Sequence, residues 1–174
     1  MTKRFTENGI SVEFQDANYF QFSTCPAYLL LKAHSVKEMD ICWLDIATNV
    51  LWVIELKAFD NPDNALFLQS DLRDGNIVNY WIDELYKKSV HTLCMIETNR
   101  SNTQTCLNNN ITSQTTIRLV HLINVLPGQE THLSFMQDEL RKRLKPFISI
   151  FGVQSFSVIP YSLAKGGKLL PWIV

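Results

Sequence analysis

Two apolar runs constrain the fold of this chain more than any other feature. Met39-Asp40-Ile41-Cys42-Trp43-Leu44 and Val50-Leu51-Trp52-Val53-Ile54 are rich in β-branched and aromatic residues, and Asp45 to Asn49 between them is a polar break suited to a turn. Two such runs around turn residues read as a β-hairpin. The unbroken apolar stretch of the second run predicts a strand buried on both faces, where an unpaired charge is costly. Yet Asp40 interrupts the first run, and Glu55 and Lys57 close the second.

Side chains alternate along a strand, so Glu55 and Lys57, two apart, share a face. The antiparallel return sets a residue early in the first strand opposite one late in the second, which brings Asp40 near them. Two carboxylates and one ammonium at a strand end suit a hard cation, since Mg²⁺ binds through one or two carboxylates plus water and substrate phosphate. Such a metal polarises a phosphodiester and acidifies a bound water. The lysine then orients or deprotonates that water, or offsets charge on the phosphate. To serve as a base it needs a pKa lowered by burial or by cationic neighbours. The competing reading is plainer: a Glu-x-Lys pair on a strand is commonly a solvated ion pair worth at most about 1 kcal/mol. Asp45, beside the break, reads as a turn residue rather than a further member of the group.

At these residues the chain resembles the PD-(D/E)xK nuclease superfamily, whose signature is an acidic residue on one strand followed by (Asp/Glu)-x-Lys on the next. Asp40 and Glu55-Leu56-Lys57 are the matching residues, with Met39 standing where the signature has proline. The resemblance implies a restriction-endonuclease-like α/β fold over roughly residues 12 to 96, with Asp40, Glu55 and Lys57 catalytic and Asp40 and Glu55 the ligands of Mg²⁺ or Mn²⁺. It implies a metal-dependent endonuclease or exonuclease that hydrolyses nucleic-acid phosphodiesters. Nucleic acid is then the partner, DNA favoured over RNA, with a homodimer left open. The resemblance also calls for a further acid upstream, Glu13 or Asp16, and for an extra residue on the following helix, for which Asn79, Tyr86 and Lys87 are candidates. The alternative function is a noncatalytic protein-interaction module on the same scaffold. In that case Asp40, Glu55 and Lys57 are a residual ion-pair network, and the 98–116 segment or the apolar Leu169 to Val174 end is the docking surface.

The rest of the sequence predicts a single α/β domain over residues 1–174, a central mixed β-sheet flanked by helices. A chain of 174 residues with 46% hydrophobic content supplies one substantial core but not two. Ser11 to Phe22 and Ala27 to Lys32 read as strands or extended segments. The turn-prone stretch Asp60 to Asp74 leads into a helix from Asn76 to about Glu97, on which Ile77, Trp81, Leu85, Leu93 and Ile96 fall near a 3.6-residue period. Thr98 to Thr116, rich in Asn, Thr, Ser and Gln, reads as a mobile polar insertion. Ile117 to Leu126 is a strand. Leu133, Met136, Leu140 and Leu144 give the apolar stripe of a helix, with a capping-box candidate at Ser134 to Gln137 and a kink expected at Pro146. Phe156 to Pro160 is a late strand.

Cys25, Cys42, Cys94 and Cys106 form no C-x-x-C pair and give little reason for a disulfide or zinc site. Cys42 and Cys94 read as small core residues. His34, His91, His121 and His132 lack metal-ligand spacing. No run approaches the roughly 20 apolar residues of a spanning helix, and the polar Met1 to Gly9 is unlike a signal peptide. A soluble, cytoplasmic protein with no membrane partner is therefore expected. The net charge of −1 disfavours strong nonspecific nucleic-acid binding. Its distribution is uneven, because the basic cluster Arg141-Lys142-Arg143-Leu144-Lys145 lies in the second half and most acids in the first. That cluster reads as a set of phosphate contacts or as a solvated helix face, the latter favoured.

Overall fold

The computed structural model describes residues 2–14, 18–60, 76–101, 110–167 and 169–173, without the side chains of 76–79 and 101. The described chain begins with a hairpin of β1 (Lys3–Glu7) and β2 (Ile10–Phe14), in which Glu7 pairs with Ile10 across Asn8-Gly9. Both turn residues have positive φ, 52° and 72°. That is the requirement of a two-residue turn matching the twist of the strands, and Asn-Gly meets it at little cost. A short β3 (Tyr19–Phe20) and helix α1 (Pro26–Lys32) lead into β4 (Ile41–Asp45) and β5 (Val50–Phe59). The remaining elements are α2 (Asn76–Ser101), β6 (Thr116–Val125), α3 (Glu130–Ile150), β7 (Val153–Pro160) and α4 (Tyr161–Gly167).

Five strands form a mixed sheet in the order β3-β4-β5-β6-β7. Its β3–β4 and β4–β5 pairs are antiparallel, whereas β5–β6 and β6–β7 are parallel. The predicted hairpin is the β4–β5 pair, with Ile41 opposite Ile54 and Asp45 opposite Val50. Asp45 closes its turn, accepting from the Ala47 N–H at 3.1 Å and the Thr48 hydroxyl at 2.6 Å. The apolar run of β5 is buried on both faces. Leu51 and Val53 join a core with α2 and α3, while Trp52, Ile54 and Leu56 join a second core with β2 and the C-terminal Leu170 and Trp172. An α/β domain with a mixed sheet and helices is thus present, and among the described residues no helix is long and apolar enough to cross a membrane.

Several local expectations need correction. Ala27 to Lys32 is helical, because Pro26 occupies the first turn, where its fixed φ and missing N–H are tolerated. The unbroken Tyr28-Leu29-Leu30-Leu31 run hides that helix from a periodicity argument, since Leu29, Leu30 and Leu31 are all exposed. Ser134 lies inside α3, which begins at Glu130 and runs through Pro146. Of the polar 98–116 segment, 98–101 continue α2 and 102–109 lie outside the described residues. Ile111 and Thr115 beyond them are buried, and the Thr115 hydroxyl donates to Asn49 Oδ1 at 3.0 Å. Cys94 is exposed rather than core, and Cys25 is disulfide-bonded.

Candidate active site

Alternation along β5 turns Glu55 and Lys57 to the side of Val53, facing α2. One step beyond the Ile41–Ile54 pair, Asp40 comes opposite Glu55. Two further bonds hold it there. The Leu56 N–H donates to Asp40 Oδ2 at 2.7 Å, and the residue before it is clamped by a 2.8 Å bond from the Met39 N–H to the Thr92 hydroxyl on α2. The same helix receives the Lys37 N–H on His91 Nδ1 at 3.0 Å and the Lys37 ammonium on Glu84. The approach to β4 is therefore pinned along two turns of α2.

The helix also supplies Lys88, which no sequence pattern singled out. Its ammonium donates to Glu55 Oε1 at 2.6 Å and to Asp40 Oδ1 at 3.3 Å, spanning both carboxylates. Glu55 is 1% exposed, and its second oxygen is buried with no hydrogen-bond partner among the described residues. Burial, and then the Asp40 charge, push the Glu55 carboxyl up to about 8. Burial likewise raises Asp40, against the pull of Lys88 and of the Leu56 N–H. Burial works to lower Lys88, but Glu55 and Asp40 together outweigh it and raise its pKa. On β6 the residue paired with Glu55 is His121. It is fully buried, 3.0 Å from the Ser89 hydroxyl, and burial with the nearby Lys88 charge pushes it down to about 3. His121 is thus a neutral core histidine beside the cluster.

Lys57 takes a different position. Its ammonium sits 4.1 Å from the centroid of the Trp81 ring and 5.9 Å from that of Phe59, a cation–π seat rather than a carboxylate contact. Burial lowers its pKa, with Glu55 opposing. Of the other helix candidates, Tyr86 packs edge-on against Phe147 and Lys87 pairs with Glu84 at 3.9 Å. The side chain of Asn79 lies outside the described residues.

A cavity of about 450 Å³ opens on this group, lined in part by Glu7, Lys32, Lys37, Glu38, Asp40 and Lys88. Glu7 is an upstream acid at the site: its carboxyl is raised by burial and then by Asp40. It reaches this position at the end of β1, where the Asn8 side chain donates to the Leu56 carbonyl at 2.9 Å. The sequence signal that could have placed it is the Asn8-Gly9 dipeptide, which marks a hairpin tip. Glu13, by contrast, lines a separate cavity with Trp43 and Asp45 at the far end of β4, roughly 16 Å along the strand from Asp40 at 3.3 Å per residue. Asp16 lies outside the described residues.

Asp40 and Glu55 are the residues that would hold a cation, a place now shared with the Lys88 ammonium, and a lysine of lowered basicity lies two residues on. Among the described residues no three His, Cys, Asp or Glu side chains form a metal-binding group. Comparison of the chain with family models, with curated proteins and with solved structures returns no match.

Proposed function

We propose that this protein is a metal-dependent phosphodiesterase acting on nucleic acid, a nuclease of the PD-(D/E)xK kind on a restriction-endonuclease-like fold. The observation that carries the reading is the meeting of Asp40, one residue before β4, and Glu55 of β5 at the Lys88 ammonium, with a Glu55 oxygen buried and without a partner among the described residues. A hairpin followed by a helix and a parallel strand is also the order of elements that the resemblance calls for.

The donor set suits Mg²⁺ or Mn²⁺. Both are served by one or two carboxylates, with water and substrate phosphate completing the shell. The pair already shares one cationic group, the Lys88 ammonium. When bound, the metal would acidify a water and draw charge from the phosphate. The chain's own residues do the rest. The Leu56 N–H fixes Asp40, Lys88 keeps Glu55 turned toward it, and Lys57, lowered by burial, orients the attacking water and exchanges a proton with it. The test is Mn²⁺-dependent cleavage of plasmid, single-stranded DNA and RNA by the wild type, with Asp40→Ala and Lys57→Ala in parallel. Both variants are expected to lose cleavage while remaining folded. Equal cleavage by all three proteins refutes the assignment.

A second reading, a noncatalytic interaction module, draws on the Asp40–Lys88–Glu55 ion network, in which both carboxylates already share the Lys88 ammonium. Its docking surface is not the C-terminal end as a whole, because Leu170 and Trp172 are buried in the second core.

A further inference from the structure

The aromatic residues around Lys57 are arranged as a graded series from core to solvent. Phe59 is fully buried on β5, Trp81 on α2 meets it edge-on at 5.3 Å, and Tyr80 meets Trp81 edge-on at 5.2 Å. Trp81 is fixed on two sides, by Phe59 and by the Lys57 ammonium over its ring. Tyr80 is 55% exposed and belongs to neither core. A large ring held against a fixed tryptophan yet turned to water contributes little to the fold, and it is a ready surface for stacking. It also lies close to Lys57, since the two ring distances place it no more than about 9 Å from that ammonium. That is the reach of one nucleotide, from a phosphate at the ammonium to a base on the ring.

We propose that Tyr80, supported by Trp81, is a nucleobase shelf beside Lys57, so that the substrate is single-stranded nucleic acid with an unpaired base next to the phosphate that Lys57 meets. This deepens the phosphodiesterase reading and rests on it. The chemistry is complementary: an aromatic face takes any base by stacking, and the neighbouring ammonium takes the phosphate that follows. In a duplex both faces of each base are already stacked, so a shelf of this kind selects an unpaired strand.

The experiment measures binding without cleavage, in EDTA, by fluorescence anisotropy of a short labelled oligothymidylate, alone or annealed to oligoadenylate. The expected result is single-strand binding at least about tenfold tighter than duplex binding, weakened about tenfold by Tyr80→Ala and retained by Tyr80→Phe, which keeps the ring. Equal affinity for the two forms, or a Tyr80→Ala variant that binds as the wild type does, overturns the shelf. Cleavage in Mn²⁺ separates the two claims. Wild-type protein that cuts duplex and single strand alike, unaffected by Tyr80→Ala, leaves the carboxylate centre standing and removes the shelf. Tyr80-dependent binding with no cleavage keeps the shelf and removes the phosphodiesterase reading.

Discussion

On one face of β4 and β5, Trp43, Trp52, Ile54 and Leu56 pack against Ile10, Val12 and Phe14 of the N-terminal hairpin and against Trp172, whose ring meets Trp52 edge-on at 5.9 Å. On the other face the same two strands carry Asp40 and Glu55 beneath Lys88. The first face explains itself, because aromatic and branched side chains removed from water stabilise the hairpin in proportion to the apolar area buried. The second does not. Taking ionisable groups out of water costs several kcal/mol for each one that stays charged, and their mutual attraction offsets that cost only in part. An apolar filling of similar volume would serve the fold as well or better. The charged face is therefore better accounted for by chemistry than by stability, and this contrast can be attacked from both sides.

The largest effect is expected in the pH dependence of stability. Native Glu55, raised to about 8, keeps its proton where the unfolded chain, at the ordinary glutamate value of 4.5, has lost it. Between those two values the native state binds more protons, so wild-type stability falls as pH rises. Glu55→Gln cannot ionise. Its stability relative to the wild type should rise by several kcal/mol between pH 4.5 and 8, as read by urea denaturation across that window. Parallel curves for the two proteins would show that Glu55 is charged throughout.

On the apolar face, Trp172→Ala should cost about 4 kcal/mol by the same measurement, because it empties the centre of the second core. On the charged face, Lys88→Met should cost about 3 kcal/mol by removing the cation that both Asp40 and Glu55 contact. Combining it with Asp40→Asn and Glu55→Leu should return stability to within about 1 kcal/mol of the wild type, since no charge is then left unpaired. A combined variant as unstable as Lys88→Met alone would mean that the ion network itself supports the fold. The smallest effect is expected at Lys145→Ala, an exposed position on α3, within about 0.5 kcal/mol of the wild type.

The sequence carried the β4–β5 hairpin and the facing of Asp40 and Glu55, because both follow from strand alternation and antiparallel return within a short span of chain. It also carried β6, helix α2 and the apolar stripe of α3, where periodicity is strong. Lys88 was illegible for a physical reason: a lysine on a long helix looks like any solvated one until packing against a distant hairpin decides which turn meets the carboxylates. Glu7 was not read as a site residue: Asn8-Gly9 marks a hairpin tip beside it, but its approach to Asp40 depends on how the β1–β2 hairpin lies on the sheet. The seat of Lys57 on Trp81 was hidden in the same way, since a tryptophan at helical spacing reads as core. Helix α1 was misread because three consecutive leucines with no polar alternation resemble a buried strand.

The most direct test of the central claim is calorimetric titration of Mn²⁺ into the wild type and into Asp40→Asn, both checked for folding by circular dichroism. The account predicts saturable binding by the wild type that disappears in the variant. No binding by the wild type, or equal binding by both proteins, would contradict it.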